Sequence, residues 1–392
     1  RGWCSQGREG SNPSMVTIKF KSLRIYILRL FLWPQRFFLN HQKYILHFFT
    51  ILLQSKLWGF YKMKVGLRKT KSEHMKIKNR LLCIILTTFF SNYFFAQDTI
   101  SKKILWTTDW SSDGKFFAVG GNLDTLKIYN ETNLKLHKSF PIKSTVTRIK
   151  WHASKNSIAV ATQLSKDKSS IINLDTNEKI ELKEISPDGA RGIDWNYTGK
   201  YLAVGDNDGQ ILIYDTKGNL IRHFKNENSK SVTAVNWHPK KNILATVSDK
   251  IRLFDIDGNL LKSIKHRSEE VMLLSVAWHK SGTFFVTGDY GDKHDKSLLQ
   301  YWNEQGKLLR SIDISKGEYR NLTWNPKGNR LATASDALRI WNTKGKLISE
   351  GKSTDYLWGV SWNKQGNKII TSSLEQNIII WNNKTEKLST IE

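Results

Sequence analysis

Histidines, acids, aromatics and arginines recur in this sequence at fixed places, and each class raises a different chemistry. His152, His238 and His279 each directly follow a tryptophan, a pattern that could hold imidazoles around a metal. Asn196, Asn325, Asn363 and Ser111 occupy the same place elsewhere, so the slot asks for a small polar turn cap. No metal and no cofactor is expected. Asp124, Asp167, Asp206, Asp208, Asp289, Asp292, Asp295 and Glu375 fall in a second set of loops. They could form an acidic rim for a basic partner or a weak Ca²⁺ site, but Asp is first of all a good turn residue, and that reading is preferred. The stretch 289–296, with Tyr290, His294 and three aspartates, is the least regular loop and the first expected to carry function. Beyond residue 104 there is no Gly-rich phosphate loop, zinc-binding His-Glu motif or Gly-x-Ser-x-Gly nucleophile elbow, which disfavours an enzyme.

The elements that must position these residues form one unit repeated seven times. Its mark is a tryptophan, at Trp110, Trp151, Trp195, Trp237, Trp278, Trp324 and Trp362, with gaps of 41, 44, 42, 41, 46 and 38 residues. That is the length of four short strands. The residue two places before each mark is apolar (Ile149, Ile193, Val235, Val276, Leu322, Val360) except Thr108. A polar turn follows, such as Asp113-Gly114-Lys115 or Gln365-Gly366-Asn367, and then a strand rich in small apolar residues, as in Tyr201-Leu202-Ala203-Val204-Gly205. The third strand ends in an aromatic plus Asp or Asn: Tyr129-Asn130, Tyr214-Asp215, Phe254-Asp255, Trp302-Asn303, Trp341-Asn342 and Trp381-Asn382, with Leu174-Asp175 in the second unit. A fourth strand completes the unit. One such sheet cannot cover both of its faces, so neighbours must stack through their aromatics.

Seven copies in phase resemble the WD-repeat (WD40-like) family over about 290 residues. The resemblance implies an all-β fold, a seven-bladed β-propeller with four antiparallel strands per blade, in which the marker tryptophans together with Trp341 and Trp381 serve as structural anchors. The Gly-His pair that opens repeats in that family is absent, so its His, Asp, Ser and Trp tetrad cannot form in the usual way. Asp249 and Asp336 are expected to satisfy local backbone donors without the histidine. The last unit has its own fourth strand near Lys387 to Ile391, so closure of the ring by the N-terminus is not required, and Asp98 to Lys103 would add to its edge or stay flexible.

Partners of that family meet the face built from the loops that enter the first strand and those between the second and third strands. Four residues before each mark stand Trp106, Thr147, Arg191, Thr233, Leu274, Arg320 and Trp358. Tryptophan and arginine dominate interface hot spots, so Trp106, Arg191, Arg320 and Trp358, with Tyr290 and His294, are the expected partner-binding residues. The alternative roles are inter-blade packing for the aromatics and a solvated rim for the arginines.

Net charge is +26, of which residues 1 to 97 carry +15, with 17 Lys and Arg against Glu9 and Glu73. The repeat region keeps +11, and its partner is expected to be protein or peptide, not nucleic acid. Cys4 and Cys83 are the only cysteines, so the repeats hold no disulfide framework. From Met75 a basic start (Lys76, Lys78, Arg80), an apolar run from Leu81 to Phe90 and a break before Ala96 lay out a secretory signal peptide. The run is shorter than the ~20 residues of a membrane span. The organisation expected is an over-extended, poorly ordered upstream segment at 1–74, a signal peptide at 75–96, a linker or edge strand at 97–104 and the propeller at 105–392. The function expected is a non-catalytic scaffold, exported to the periplasm or cell surface, with no membrane span in its mature form. Two alternatives are a propeller enzyme or small-ligand binder using the central channel, and a cytoplasmic nucleic-acid-associated propeller.

Overall fold

Runs such as Leu202-Ala203-Val204 and Ile211-Leu212-Ile213 are fully buried on both sides of their strands, so each sheet must be covered on both faces. Stacking supplies the cover. The computed structural model, which describes residues 103–163, 166–225, 231–268, 270–291 and 296–391, arranges 28 strands as seven four-stranded antiparallel sheets, each of four consecutive strands. The expected signal peptide and upstream segment lie outside the described residues. Among the described residues no helix is long and apolar enough to cross a membrane.

The seven first strands are Leu105–Trp110, Thr145–Trp151, Ala190–Trp195, Ala234–Trp237, Leu273–Trp278, Asn321–Trp324 and Leu357–Trp362, and every one ends on its marker tryptophan. They line the central channel. Second strands are the most buried; Ser157–Gln163 has no exposed residue. Fourth strands such as Leu220–Lys225 form the exposed outer edge.

Each junction between neighbouring blades holds one apolar cluster, and the marker tryptophan of one blade lies on strands of the blade before it. Trp151 packs with Leu126 and Ile128, Trp278 with Leu253, and Trp362 with Leu338 and Ile340. Trp324 is only partly buried, where the other six are buried. The third-strand anchors are tied within their own blades: the indole N–H groups of Trp302, Trp341 and Trp381 donate to Thr287, Thr333 and Thr371 at 2.9, 3.0 and 2.9 Å.

Two expectations need correction. In the second blade the pair in register with Tyr214-Asp215 is Ile172-Asn173, since Ile158 faces Ile172 as Leu202 faces Tyr214. Leu174-Asp175 lies in the turn beyond, where Asn173 Oδ1 accepts the Asp175 N–H at 2.9 Å. Apolar plus Asp at the wrong offset mimicked the motif. Asp249 and Asp336 do each accept a backbone N–H, from Asp249 itself and from Lys316, but they are held chiefly by arginines three residues on, Arg252 at 2.9 Å and Arg339 at 2.7 Å. Asp336 also accepts from Ser315. Burial would raise its pKa, but Arg339 and Ser315 prevail and bring it to about 2.

The last blade is completed by its own strand, Lys387–Ile391, paired to Ile378–Asn382. Among the described residues, closure of the ring is made by side chains and closely approaching backbones. Leu105, Trp110 and Phe117 of the first blade pack with Ile370 and Ile378 of the last. Ser361 Oγ accepts the Trp110 N–H at 3.2 Å and donates to Asp109 at 3.1 Å, and Lys368 pairs with Glu131 at 2.6 Å. Gly359 lets the two backbones approach, since a Cβ there would lie 2.8 Å from the Thr108 nitrogen.

A candidate binding face at the channel mouth

The position four residues before the marker is where each first strand reaches the loop face, and seven such positions converge around one opening. Trp106, Thr147, Arg191, Thr233, Leu274 and Arg320 line a pocket of about 30 Å³ at the channel mouth together with Arg148. Two of these residues serve the scaffold: Thr147 donates to the Ala190 carbonyl at 2.7 Å and Thr233 to the Leu273 carbonyl at 2.5 Å, each in the next blade.

The other four expected residues form a single stack. Trp106 and Trp358 meet edge to face with ring centres 4.8 Å apart. The Arg320 guanidinium lies 3.8 Å from the Trp358 ring and 5.6 Å from Trp106, and Arg191 lies 5.8 Å from Trp106. Such contacts fix a guanidinium that would otherwise sample many rotamers. Arg320 also pairs with Glu318 at 2.7 Å, and Arg191 Nε donates to Gln163 at 3.1 Å. Both arginines are partly exposed.

Tyr290 is 56% exposed and stands beside this stack. With Gly317, Glu318, Tyr356, Trp358 and Leu374 it lines a recess of about 240 Å³. His294 lies outside the described residues. Arg148, Glu318, Tyr356 and Leu374 were missed from the sequence. Arg148 alone carried a signal, as a long cation one place after the aligned position where the other units have smaller residues.

Below the mouth the channel widens to about 230 Å³. Its polar residues form a ladder from blade to blade. Asp109 accepts the Trp151 N–H at 2.8 Å, Asp194 the Trp237 N–H at 2.9 Å, and Asn236 the Trp278 N–H at 2.7 Å. Lys150 stands 4.0 Å from Asp194, and Asp109, followed by Asp194, holds its pKa above the usual lysine value.

The acidic loop residues and the histidines serve turns. Asp206 and Asp289 are fully buried. Asp206 accepts the N–H groups of Ser186, Asp208 and Gln210, and Asp289 pairs with Arg267 at 3.1 Å. Asp292 and Asp295 lie outside the described residues. His152 Nδ1 accepts from Ser154 and Lys155 while Nε2 lies 2.9 Å from the Gly199 carbonyl of the next blade. His238 and His279 repeat this with Gly282 and Gly328 at 3.1 and 2.6 Å. Their rings meet Trp195, Trp278 and Trp324, each at 4.8 Å.

Comparison with known proteins agrees with this architecture. Residues 106–277 match a family model described as the WDR19 first beta-propeller, and residues 258–299 and 345–382 match the WD domain, G-beta repeat. The chain is 23% identical over 302 residues to the Periodic tryptophan protein 2 homolog of Caenorhabditis elegans, covering 70% of this chain and 31% of that protein. It is 22% identical over 178 residues to the Intraflagellar transport protein 80 homolog of Mus musculus, covering 45% and 22%. With Protein FIZZY-RELATED 3 of Arabidopsis thaliana it shares 24% over 224 residues, covering 53% and 44%. The chain thus spans less than half the length of each of these relatives. Seven stacked sheets make the chain a seven-bladed β-propeller, and these matches liken its repeats to the WD type.

Proposed function

We propose that this propeller is a non-catalytic scaffold that holds another protein or peptide on its loop face, around the channel mouth, in an exported protein of the periplasm or cell surface. The observation that carries the binding role is the stack of Trp106, Trp358, Arg191 and Arg320, residue types that supply most interface energy when grouped at one centre. The match of two stretches to the WD domain, G-beta repeat supports a scaffold. Asp109, Asp194 and Asn236 in the channel are engaged in blade-to-blade hydrogen bonds, which suits a rigid support better than a reaction centre. Export rests on the sequence from Met75 to Gln97. The test of binding is capture from an extract of the producing cells by the wild-type chain and by a variant with Trp106→Ala, Arg191→Ala, Arg320→Ala and Trp358→Ala. Loss of the same captured protein with the fold intact is the expected result, and retention of every captured protein sinks this reading. The N-terminal residue of the mature protein and the compartment holding it test export.

A further inference from the structure

Three guanidiniums from three different blades, Arg148, Arg191 and Arg320, line a small pocket at the channel mouth. The acids nearby are already committed. Glu318 pairs with Arg320. Asp194 lies deeper, taken up by the Trp237 N–H, Asn236 Nδ2 at 2.8 Å and Lys150, and Asp109 by Trp151 and Ser361. Among the described residues, cations therefore exceed acids at the mouth. Arg148 registers this crowding: burial first, then Arg320, push its pKa down to about 10, so it stays charged at neutral pH. A pocket of about 30 Å³ accepts the end of one side chain, not a drug-sized molecule. Guanidinium forks match planar or tetrahedral oxyanions, and the two indoles hold Arg320 and Arg191 in place before any ligand arrives. Next to the mouth, across Trp358, the recess is walled by exposed Tyr290 and Tyr356. Tyr356 lies on Gly317, where an added Cβ would come within 2.5 Å of its ring.

We propose that the channel mouth receives an anionic side chain, carboxylate or phosphomonoester, from a partner's peptide segment, while the recess beside Trp358 takes a neighbouring apolar side chain. This deepens the proposed binding function and rests on it for the choice of face.

The experiment uses the full chain and short fluorescein-labelled peptides in which phenylalanine alternates with glutamate, with phosphoserine, with glutamine or with lysine, read by fluorescence polarisation at low and at physiological salt. The glutamate or the phosphoserine peptide is expected to bind, and the better of the two identifies the source of the anion. The glutamine and lysine peptides are expected to bind at least about tenfold more weakly. Arg148→Gln, Arg191→Gln and Arg320→Gln should each weaken the anionic peptide about tenfold, and added salt should weaken it further. Gly317→Ala, which displaces Tyr356, should weaken the anionic peptide with a smaller salt dependence. The proposal is overturned if no anionic peptide binds, if the glutamine or lysine peptide binds as well, or if arginine variants that keep their melting temperature bind unchanged. Should an arginine variant fail to fold, the four peptides on the wild-type chain decide alone. A captured partner lost in the quadruple variant while every peptide fails leaves the binding face standing and removes the anion assignment. Arginine-dependent peptide binding with no captured partner lost has the opposite meaning.

Discussion

A single hydroxyl shows how much a side chain's value depends on what faces it. Thr333 and Thr246 sit at the same place in the second strands of the sixth and fourth blades, two residues after the partner of the third-strand aromatic. Both are fully buried. Thr333 accepts the Trp341 indole N–H at 3.0 Å. In the fourth blade Phe254 stands where the tryptophan would, and among the described residues Thr246 Oγ1 has no partner. Valine has nearly the same shape as threonine, so Thr333→Val strands a buried donor and should cost about 1–3 kcal/mol. Thr246→Val removes an already unpartnered oxygen and should be neutral or stabilising. Denaturant unfolding of the two variants checks this, and equal losses would show that the indole bond contributes nothing of its own. The same dependence on surroundings decided what could be read beforehand. Trp106, Arg191, Arg320 and Trp358 were legible because they share an offset from a periodic mark. Arg148, Tyr356 and Leu374 were not, because what makes them neighbours is the closing of the ring and the path of three separate loops.

At the scale of the element, the turn after each marker tryptophan is where one blade grips the next. His152, His238 and His279 use both ring nitrogens in the neutral form, Nδ1 accepting from the turn and Nε2–H donating to a glycine carbonyl of the following blade. Gly199 and Gly282 have positive φ, and a Cβ at either would lie within 2.7 Å of the facing imidazole. Burial, partly offset by the glycine carbonyl, lowers the pKa of all three histidines below 6.5. A base whose folded pKa is depressed takes up its proton more readily when unfolded. The clamps are thus at full strength above about pH 6.5 and weaken as pH falls through the folded values. The denaturant midpoint should drop between about pH 7 and about pH 5. Replacing all three with asparagine, which caps the same turn through Asn196, Asn325 and Asn363, should flatten that drop. What slope remains should trace to His266, whose pKa burial also lowers. An unchanged slope in the triple variant would remove these turns from the account of pH stability. Four-strand units, turns and the marker register were readable in the sequence because they depend on neighbours within a few positions. The Leu174-Asp175 misplacement and the arginine partners of Asp249 and Asp336 show the limit of that approach: pattern gives residue types, while strand register and side-chain reach give partners.

For the whole molecule the decisive junction is the one that no loop spans. Six junctions are joined by the chain as it passes from a fourth strand to the next first strand, whereas among the described residues the last and first blades meet through side chains and closely approaching backbones alone. Ile370 is fully buried at the centre of that contact, among Leu105, Trp110, Phe117 and Ile378. Ile370→Ala should cost about 2–5 kcal/mol, the range for a cavity in a well-packed core. A cavity of equal chemistry at an internal junction, made by Ile128→Ala beside Trp151, should cost a similar amount, because both sites are buried alike. The difference lies in how the molecule opens. With no covalent link to hold the blades together, the seam variant can release the last or first blade while the rest stays folded, as expected for an array of nearest-neighbour units. Limited proteolysis of the Ile370→Ala chain should therefore make its first cuts within about the first or last forty residues of the ring, whereas Ile128→Ala should show no such preference for the last blade. First cuts in the third to fifth blades of the seam variant would mean that the ring opens elsewhere. The loop-face stack spans the same seam, since Trp106 belongs to the first blade and Trp358 to the last. A ligand bridging those two indoles would hold the ring shut, so binding at the mouth should protect the seam variant from these cuts in proportion to its occupancy.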